Sequence, residues 1–293
     1  MKRYNWGNLD NIFSFAGIDK KENKDFFDLL KSENDSGILR QELVSMIPVS
    51  LVEIEPHFTI MDMCAAPGNK SVQILELMNE KAREKNTLPT GLLVSNEILQ
   101  SRVDKLVNFL QSQPAINIIV TKCEAENFPI NKNFCPDVIF CDVPCSGDGT
   151  SRKNKGIRKR WRPTFSLNDH RLQIKILEKS LILCKKGGKV VYSTCSLNPL
   201  ENEAVVAHLL EKYKGFIELE DCFEKVKNKL ELNFSQGLTR WKVPHDWKNS
   251  ESNIEWVHDY ESVTKHKGMI MKSMFHEIYT KANWANNLYF VNE

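Results

Sequence analysis

No apolar run in this chain approaches the roughly 18 residues that a membrane-spanning helix needs, so no transmembrane segment is expected. The opening Met1-Lys2-Arg3-Tyr4-Asn5-Trp6 has no apolar stretch behind it, which speaks against a secretory signal. Cysteine is sparse, 8 among 293 residues, too few for a disulfide scaffold. No Cys-x-x-Cys pair occurs, and the closest spacing, Cys141 to Cys145, puts one thiol inside a strand, so no metal site is expected. The thiols therefore read as reduced, in an intracellular protein of the nucleus or cytoplasm. Charge of one sign is also lacking. The 40 Lys+Arg against 38 Asp+Glu leave +2, so any surface for a polyanion must come from local clustering. Neither a G-x-G-x-x-G turn nor a P-loop occurs, which disfavours a dinucleotide dehydrogenase. What is present, 41% hydrophobic residues, is enough for a buried core and excludes a wholly disordered chain.

The pattern changes near residue 58. Before it, Asp25-Phe26-Phe27-Asp28-Leu29-Leu30 and Gln41-Glu42-Leu43-Val44-Ser45-Met46-Ile47 carry apolar residues at helical spacing. Ser36-Gly37 separates them and Pro48 closes the second, so 1–57 is expected to be a helical segment. After it, short apolar runs alternate with helical ones. Strands are expected at Thr59–Cys64, Leu92–Glu97, Asn117–Lys122, Asp137–Val143 and Lys189–Cys195. Helices are expected at about Asn69–Lys85, Ile98–Leu110, Leu172–Cys184 and Glu201–Tyr213. This alternation specifies βαβ units, hence an α/β fold with a doubly wound, mostly parallel sheet. In the tail, Leu238–Val243 and Asn287–Val291 read as strands that add an antiparallel edge, while 244–286 has no definite pattern. The expected division is a helical segment over 1–57 and one α/β domain over 58–293.

In such a sheet, ligands bind beyond the carboxyl ends of the strands. The first strand ends in Cys64-Ala65-Ala66-Pro67-Gly68-Asn69-Lys70, small residues that let backbone approach a ligand ahead of a helix N-terminus. Taken alone, Gly68 is equally a plain tight turn. Glu97 suits the two hydroxyls of a ribose, and Glu124 an adenine amino group. A nucleoside without a pyrophosphate points to S-adenosylmethionine. The fourth strand ends Asp142-Val143-Pro144-Cys145-Ser146-Gly147-Asp148-Gly149, and the fifth ends Ser193-Thr194-Cys195-Ser196. If these strands are neighbours, about 4.8 Å apart, Cys145 and Cys195 emerge side by side at the ligand edge. A thiol there is most useful as a nucleophile. Cys64, Cys123, Cys135, Cys141, Cys184 and Cys222 read as packing residues.

Asp62-Met63-Cys64-Ala65-Ala66-Pro67-Gly68-Asn69-Lys70, Asp142-Val143-Pro144-Cys145-Ser146-Gly147 and Ser193-Thr194-Cys195-Ser196-Leu197-Asn198-Pro199 resemble, in order and spacing, the motifs of the Nop/Sun family of RNA (cytosine-5) methyltransferases. Arg40-Gln41-Glu42 with Ser45-Met46-Ile47-Pro48, Cys145-Ser146-Gly147-Asp148-Gly149-Thr150 with Arg152-Lys153-Asn154, and Gly237–Val243 are similar to its eukaryotic tRNA-modifying branch. The resemblance implies a Rossmann-like class I methyltransferase fold and S-adenosylmethionine as cofactor. It implies that the Cys195 thiolate adds to cytosine C6 and so makes C5 nucleophilic. It gives Cys145 a part in release, either taking the C5 proton or expelling Cys195. Asp142 would hydrogen-bond the base at N3 and N4, and Lys70 would orient the base or lower a thiol pKa. The implied cofactor contacts are Cys64, Ala65, Ala66, Pro67, Gly68, Asn69, Lys70, Glu97, Glu124 and Asp142, with Arg102 in support. The family usually has Asp where Glu97 and Glu124 stand.

Between Ser151 and Trp161 stand Arg152, Lys153, Lys155, Arg158, Lys159 and Arg160, with no acid among them. Most charge runs are solvated surface, but this one follows the Cys145 loop. Its place points to phosphate contacts, with Trp161 stacking a base and Arg40 adding to the surface. The expected activity is methyl transfer from S-adenosylmethionine to C5 of cytosine in RNA, tRNA in the first place, by a monomer needing no membrane or metal. The alternatives are the same chemistry on rRNA or mRNA, a non-catalytic RNA-binding scaffold, and a DNA enzyme attacking through Cys145.

Overall fold

The computed structural model describes residues 2–6, 9–14, 21–25, 28, 41–111, 113, 115–222, 234–246, 254–275 and 289–291. The chain opens on strands, not on the expected helix. Lys2–Trp6 (β1) and Leu9–Ser14 (β2) pair antiparallel, with Tyr4 opposite Ile12 and Arg3 opposite Phe13. Tyr4, Trp6, Ile12 and Phe13 are aromatic or β-branched residue types, which favour strands, a preference that helical spacing does not capture. Of the first expected helix, Lys24, Asp25 and Asp28 are helical, and Phe26, Phe27, Leu29 and Leu30 lie outside the described residues, as does Arg40. The second is α1, Leu43–Ser50, which runs through Pro48 instead of ending there. Pro48 removes one helical N–H, and the Leu51 N–H closes the end on the Ile47 carbonyl at 3.2 Å.

The five apolar runs after residue 58 form one parallel sheet. They are β3 (Thr59–Asp62), β4 (Leu92–Asn96), β5 (Ile118–Thr121), β6 (Val138–Asp142) and β7 (Lys189–Ser193). Their order in space is β5-β4-β3-β6-β7, so the winding reverses between β3 and β6. The intervening helices are α2 (Asn69–Glu84), α3 (Gln100–Gln111), α4 (Ile157–Arg160), α5 (Pro163–Leu183) and α6 (Glu203–Lys212). Successive strand residues serve opposite faces. Ile60, Leu93, Val138 and Phe140 pack with Leu75 and Met78 of α2 and Leu106 and Leu110 of α3. Met61, Val94, Ile139 and Cys141 pack with Ile176 and Leu183 of α5 on the other side. Each such side chain, fully buried, contributes about 1.5–3 kcal/mol, which explains why strands covered on both faces read as unbroken apolar runs.

Two further features differ from expectation. The helix expected from Leu172 begins at Pro163, which takes the first helical position. Its added turns are fixed by the buried His170, whose Nδ1 donates to the Leu200 carbonyl at 2.5 Å and whose Nε2 accepts from Ser273 Oγ at 2.8 Å. Burial lowers the His170 pKa to about 4, which keeps the ring neutral for both bonds. Among the described residues the expected antiparallel edge is not part of the five-stranded sheet. Instead Phe234–Gln236 (β8) pairs with Tyr289–Val291 (β11), and Val243–Asp246 (β9) pairs with Glu255–Val257 (β10), as separate two-stranded sheets. The reason is burial: Trp241 and Val243 pack with Val263, Ile270, Met274 and Phe275 against Leu167, Ala204 and Ala207 of the helices, rather than beside β7.

At the carboxyl end of the sheet, buried Asn96 ties three strand ends together. Its Nδ2 donates to the Met63 and Cys123 carbonyls at 3.1 and 2.9 Å, and its Oδ1 accepts from the Cys123 N–H and Thr121 Oγ1, both at 3.0 Å. Asn96→Ala leaves buried backbone groups unpaired and should cost about 3 kcal/mol. Urea unfolding measures this, and a loss below about 1 kcal/mol would show that water replaces the amide.

Candidate active site

The crevice lies where the winding reverses, beyond β3 and β6. Gly68 begins α2 with φ +116°, and a Cβ there would stand 2.9 Å from Phe109 Cδ1 and 3.0 Å from Leu106 Cδ1. Glycine therefore lets α3 close against the turn. The Arg102 guanidinium donates to the Ala66 carbonyl at 2.6 Å and stands 3.4 Å from Glu97 Oε2. Glu97, 2% exposed, accepts from the Ile98 and Leu99 N–H groups through Oε1 at 3.0 and 3.1 Å. Asp62 accepts from Ser71 Oγ at 2.8 Å through Oδ2, while its buried Oδ1 has no partner among the described residues. Burial raises its carboxyl pKa to about 6. Glu124 is exposed, accepting from Asn127 Nδ2 at 2.5 Å. Cys64 is half-buried, and burial pushes its thiol well above the ordinary value.

Across the crevice, β6 and β7 pair with Asp142 opposite Ser193. Asp142 Oδ2 accepts from Lys70 Nζ at 2.7 Å, and Oδ1 from Ser193 Oγ at 2.9 Å. Lys70 thus joins the loop after β3 to the end of β6. The two loops that follow Asp142 and Ser193 bring the Cys145 and Cys195 Sγ atoms to 3.2 Å. The Gly149 N–H bonds the Cys195 carbonyl at 3.1 Å, and a Cβ at Gly149 would stand 2.9 Å from that oxygen. A second tie lies below. Glu201 is fully buried and accepts from the Ser146 N–H and Oγ at 3.0 and 3.1 Å, and Ser146 Oγ lies 3.2 Å from Ser196 Oγ. The residues immediately after both cysteines are therefore linked to each other and to one carboxylate.

The thiols are not equivalent. The hydrogen bond from Cys145 lowers the Cys195 pKa, against burial, and the Lys153 charge adds to the lowering. The same bond, with burial, drives the Cys145 pKa up. Cys145 holds the proton and Cys195 is the readier thiolate. Lys70, expected to orient the base or act on a thiol, is paired with Asp142. Arg152, Lys153, Lys155, Arg158, Lys159 and Arg160 are exposed around α4, with Lys153 paired to Glu42 of the segment before α1, and Trp161 is half-buried. Among the described residues no group of three or more His, Cys, Asp or Glu is placed to hold a metal ion, and no helix is long and apolar enough to cross a membrane.

A family model described as 16S rRNA methyltransferase RsmB/F matches residues 49–252. The chain belongs to the RsmB/F methyltransferase family. It is 43% identical over 222 residues to the multisite-specific tRNA:(cytosine-C(5))-methyltransferase of Saccharomyces cerevisiae, covering 72% of this chain and 31% of the yeast protein. The protein so named from Schizosaccharomyces pombe is 38% identical over 263 residues, covering 80% of this chain and 38% of that one. The chain thus spans about a third of the length of these relatives. A solved methyltransferase homolog protein from Pyrococcus horikoshii shares 28% identity with a TM-score of 0.50, covering 72% of this chain and 61% of that one. These matches agree with the resemblance carried by the motifs.

Sequence reasoning did not single out Asn96, Glu201, Ser146 or Ser196 as holding this RsmB/F site together. Glu201 lies in an ordinary helix-starting stretch, and only its burial against the thiol loops reveals it. The pairing of the thiols makes a pH prediction. In the wild type, alkylation of Cys195 by iodoacetamide should have a midpoint below the ordinary thiol value of about 8.5. Cys145→Ala removes the donor that stabilises the thiolate, so the midpoint should rise. Peptide mass spectrometry at a series of pH values reads it, and an unmoved or lowered midpoint refutes the donor role.

Proposed function

We propose that this chain transfers a methyl group from S-adenosylmethionine to C5 of a cytosine in RNA, tRNA in the first place. The observation that carries the reading is the thiol pair at 3.2 Å beside an anchored Asp142. The tRNA preference is supported by the names of the two yeast relatives, and rRNA, named in the family's description, is the alternative. Residues 58–293 would form the methyltransferase domain and 1–57 would add RNA contacts, in a monomer of the nucleus or cytoplasm.

The small-residue turn Cys64–Lys70 and the carboxylates around it suit a cationic adenosyl cofactor. The unpartnered Asp62 Oδ1 offers a buried acceptor, and Glu97 Oε2, which faces the Arg102 guanidinium at 3.4 Å, keeps a lone pair for a ribose hydroxyl once Oε1 has taken two N–H groups. S-adenosylmethionine, when bound, supplies the electrophilic methyl group. Cys195 forms the S–C6 bond, and the ring electrons move toward C5 and N3. Asp142, held by Lys70 and Ser193, is the group to accept from the N4 amino group and, once N3 carries a proton, from N3–H, which holds the adduct in place. Once Cys195 is a thioether, the main cause of the raised Cys145 pKa is gone. Cys145 then falls toward an ordinary thiol, gives its own proton to solvent, and as a thiolate takes the C5 proton. The C–H electron pair restores the C5=C6 bond as the C6–S bond breaks. Attack by Cys145, as in a DNA enzyme, would ask the more firmly protonated thiol to act first.

Two outcomes follow. With labelled S-adenosylmethionine and a tRNA pool, Cys195→Ala should abolish both methylation and any covalent RNA adduct. Cys145→Ala should attack more slowly but release poorly, leaving a protein–RNA species that survives a denaturing gel. A stable adduct in Cys195→Ala instead would reverse the roles. Replacing Arg158, Lys159 and Arg160 together by Ala should lower the salt slope of RNA binding by about 2 if all three meet single-stranded phosphates. Filter binding at several salt concentrations tests it, and an unchanged slope makes α4 a bystander.

A further inference from the structure

We propose that a pocket beside the thiols takes an RNA base adjacent to the target cytosine, held among three tryptophans. This rests on the reading of the chain as an RNA-modifying enzyme and names a base-binding site for it. The pocket, about 330 Å³, is lined by Trp161, Trp241 and Trp256 together with Asp148, Asn198 and Lys242. That size is within the range of small-ligand clefts, about 300–1,000 Å³.

Its walls are extensions of the thiol loops. Asp148 follows Cys145 by three positions and Asn198 follows Cys195 by three. Asp148 Oδ1 accepts from the Leu197 N–H at 2.8 Å, which locks the two loops together at the pocket edge. A nucleotide next to one whose base meets Cys195 therefore has this pocket within its reach. The indoles are differently prepared. Trp241 is 7% exposed and donates from Nε1 to the Met274 carbonyl at 2.7 Å, making a fixed wall. Trp256 is 48% exposed at the rim. Trp161 keeps a buried Nε1–H with no partner among the described residues. A buried donor left unbonded is costly, so the site gains from a flat ligand that carries an acceptor. Every nucleobase is flat and carries ring nitrogens or carbonyls.

Charge selects RNA over other flat or apolar ligands. The exposed Arg158, Lys159 and Arg160 lead directly into Trp161, and Lys242 also lines the pocket. An apolar peptide would use the indoles and gain nothing from these cations, whereas a nucleotide uses both, base on indole and phosphate on guanidinium.

The test uses the full chain and two fluorescein-labelled RNA decamers. One is all uridine with a single central cytosine, and the other has abasic residues on both sides of that cytosine. Wild type should bind the first about tenfold or more tighter, as expected for loss of a stacked base. Trp256→Ala, at the exposed rim, and Trp161→Phe, which keeps a ring but removes the donor, should each lose most of that difference while binding the abasic decamer like wild type. Equal binding of the two decamers by wild type, or equal losses on both in the variants, overturns the pocket. Methyl transfer to a tRNA pool, run in parallel, separates the two claims. Discrimination without transfer keeps the pocket and removes the enzyme, and transfer without discrimination removes only the pocket.

Discussion

The pairing of β6 with β7 sets Asp142 opposite Ser193, and from that register two loops leave the sheet with their thiols 3.2 Å apart. Side chains alternate along a strand, so a slip of one residue would turn Asp142 away from Lys70 and carry the Cys145 loop out of step with the Cys195 loop. The register is secured by burial. Ile139 and Phe140 serve opposite faces of the sheet, and a slip would exchange them between two differently shaped cores. Below the thiols, Glu201 holds Ser146, and Ser146 meets Ser196. A charged acceptor in a buried place is expensive unless bonded, so this tie opposes any separation of the two loops.

The chemistry follows from that closeness. Two thiols in contact titrate as a pair, and one proton shared between them makes one sulfur a nucleophile and the other its donor. Exposure breaks the symmetry: Cys195 is exposed and Cys145 half-buried. Asp142 is prepared in the same manner, with one oxygen on Lys70 and the other on Ser193, so its orientation is set before any ligand arrives. Lys70 comes from the turn after β3 and Asp142 from the end of β6. Their ion pair spans the place where the winding reverses, joining the Cys64–Lys70 turn to the loops that carry the two thiols.

The tail has a different role from the edge strand expected of it. Trp241, Val243, Ile270, Met274 and Phe275 pack on helices α5 and α6 and form a third core beside the sheet. That packing brings Trp241 and Trp256 to the loops after Cys145 and Cys195. Trp256, from a segment without a definite pattern, thereby joins Trp241 in lining the pocket.

The sequence by itself determined what depends on near neighbours along the chain. Five strands covered on both faces must be apolar throughout, so they were legible as runs, and the turn from Cys64 to Lys70 was legible from its small residues. The cysteines were legible because each follows a strand directly. The tertiary structure alone decided the partners. Nothing local marks Asn96 as the tie of three strands, Glu201 as the acceptor for Ser146, or Lys70 as the mate of Asp142. It also decided that the tail packs on helices and that α5 starts at Pro163, because His170 finds Leu200 and Ser273. These bonds join residues far apart in the chain, and their energy exists only once burial has removed competing water.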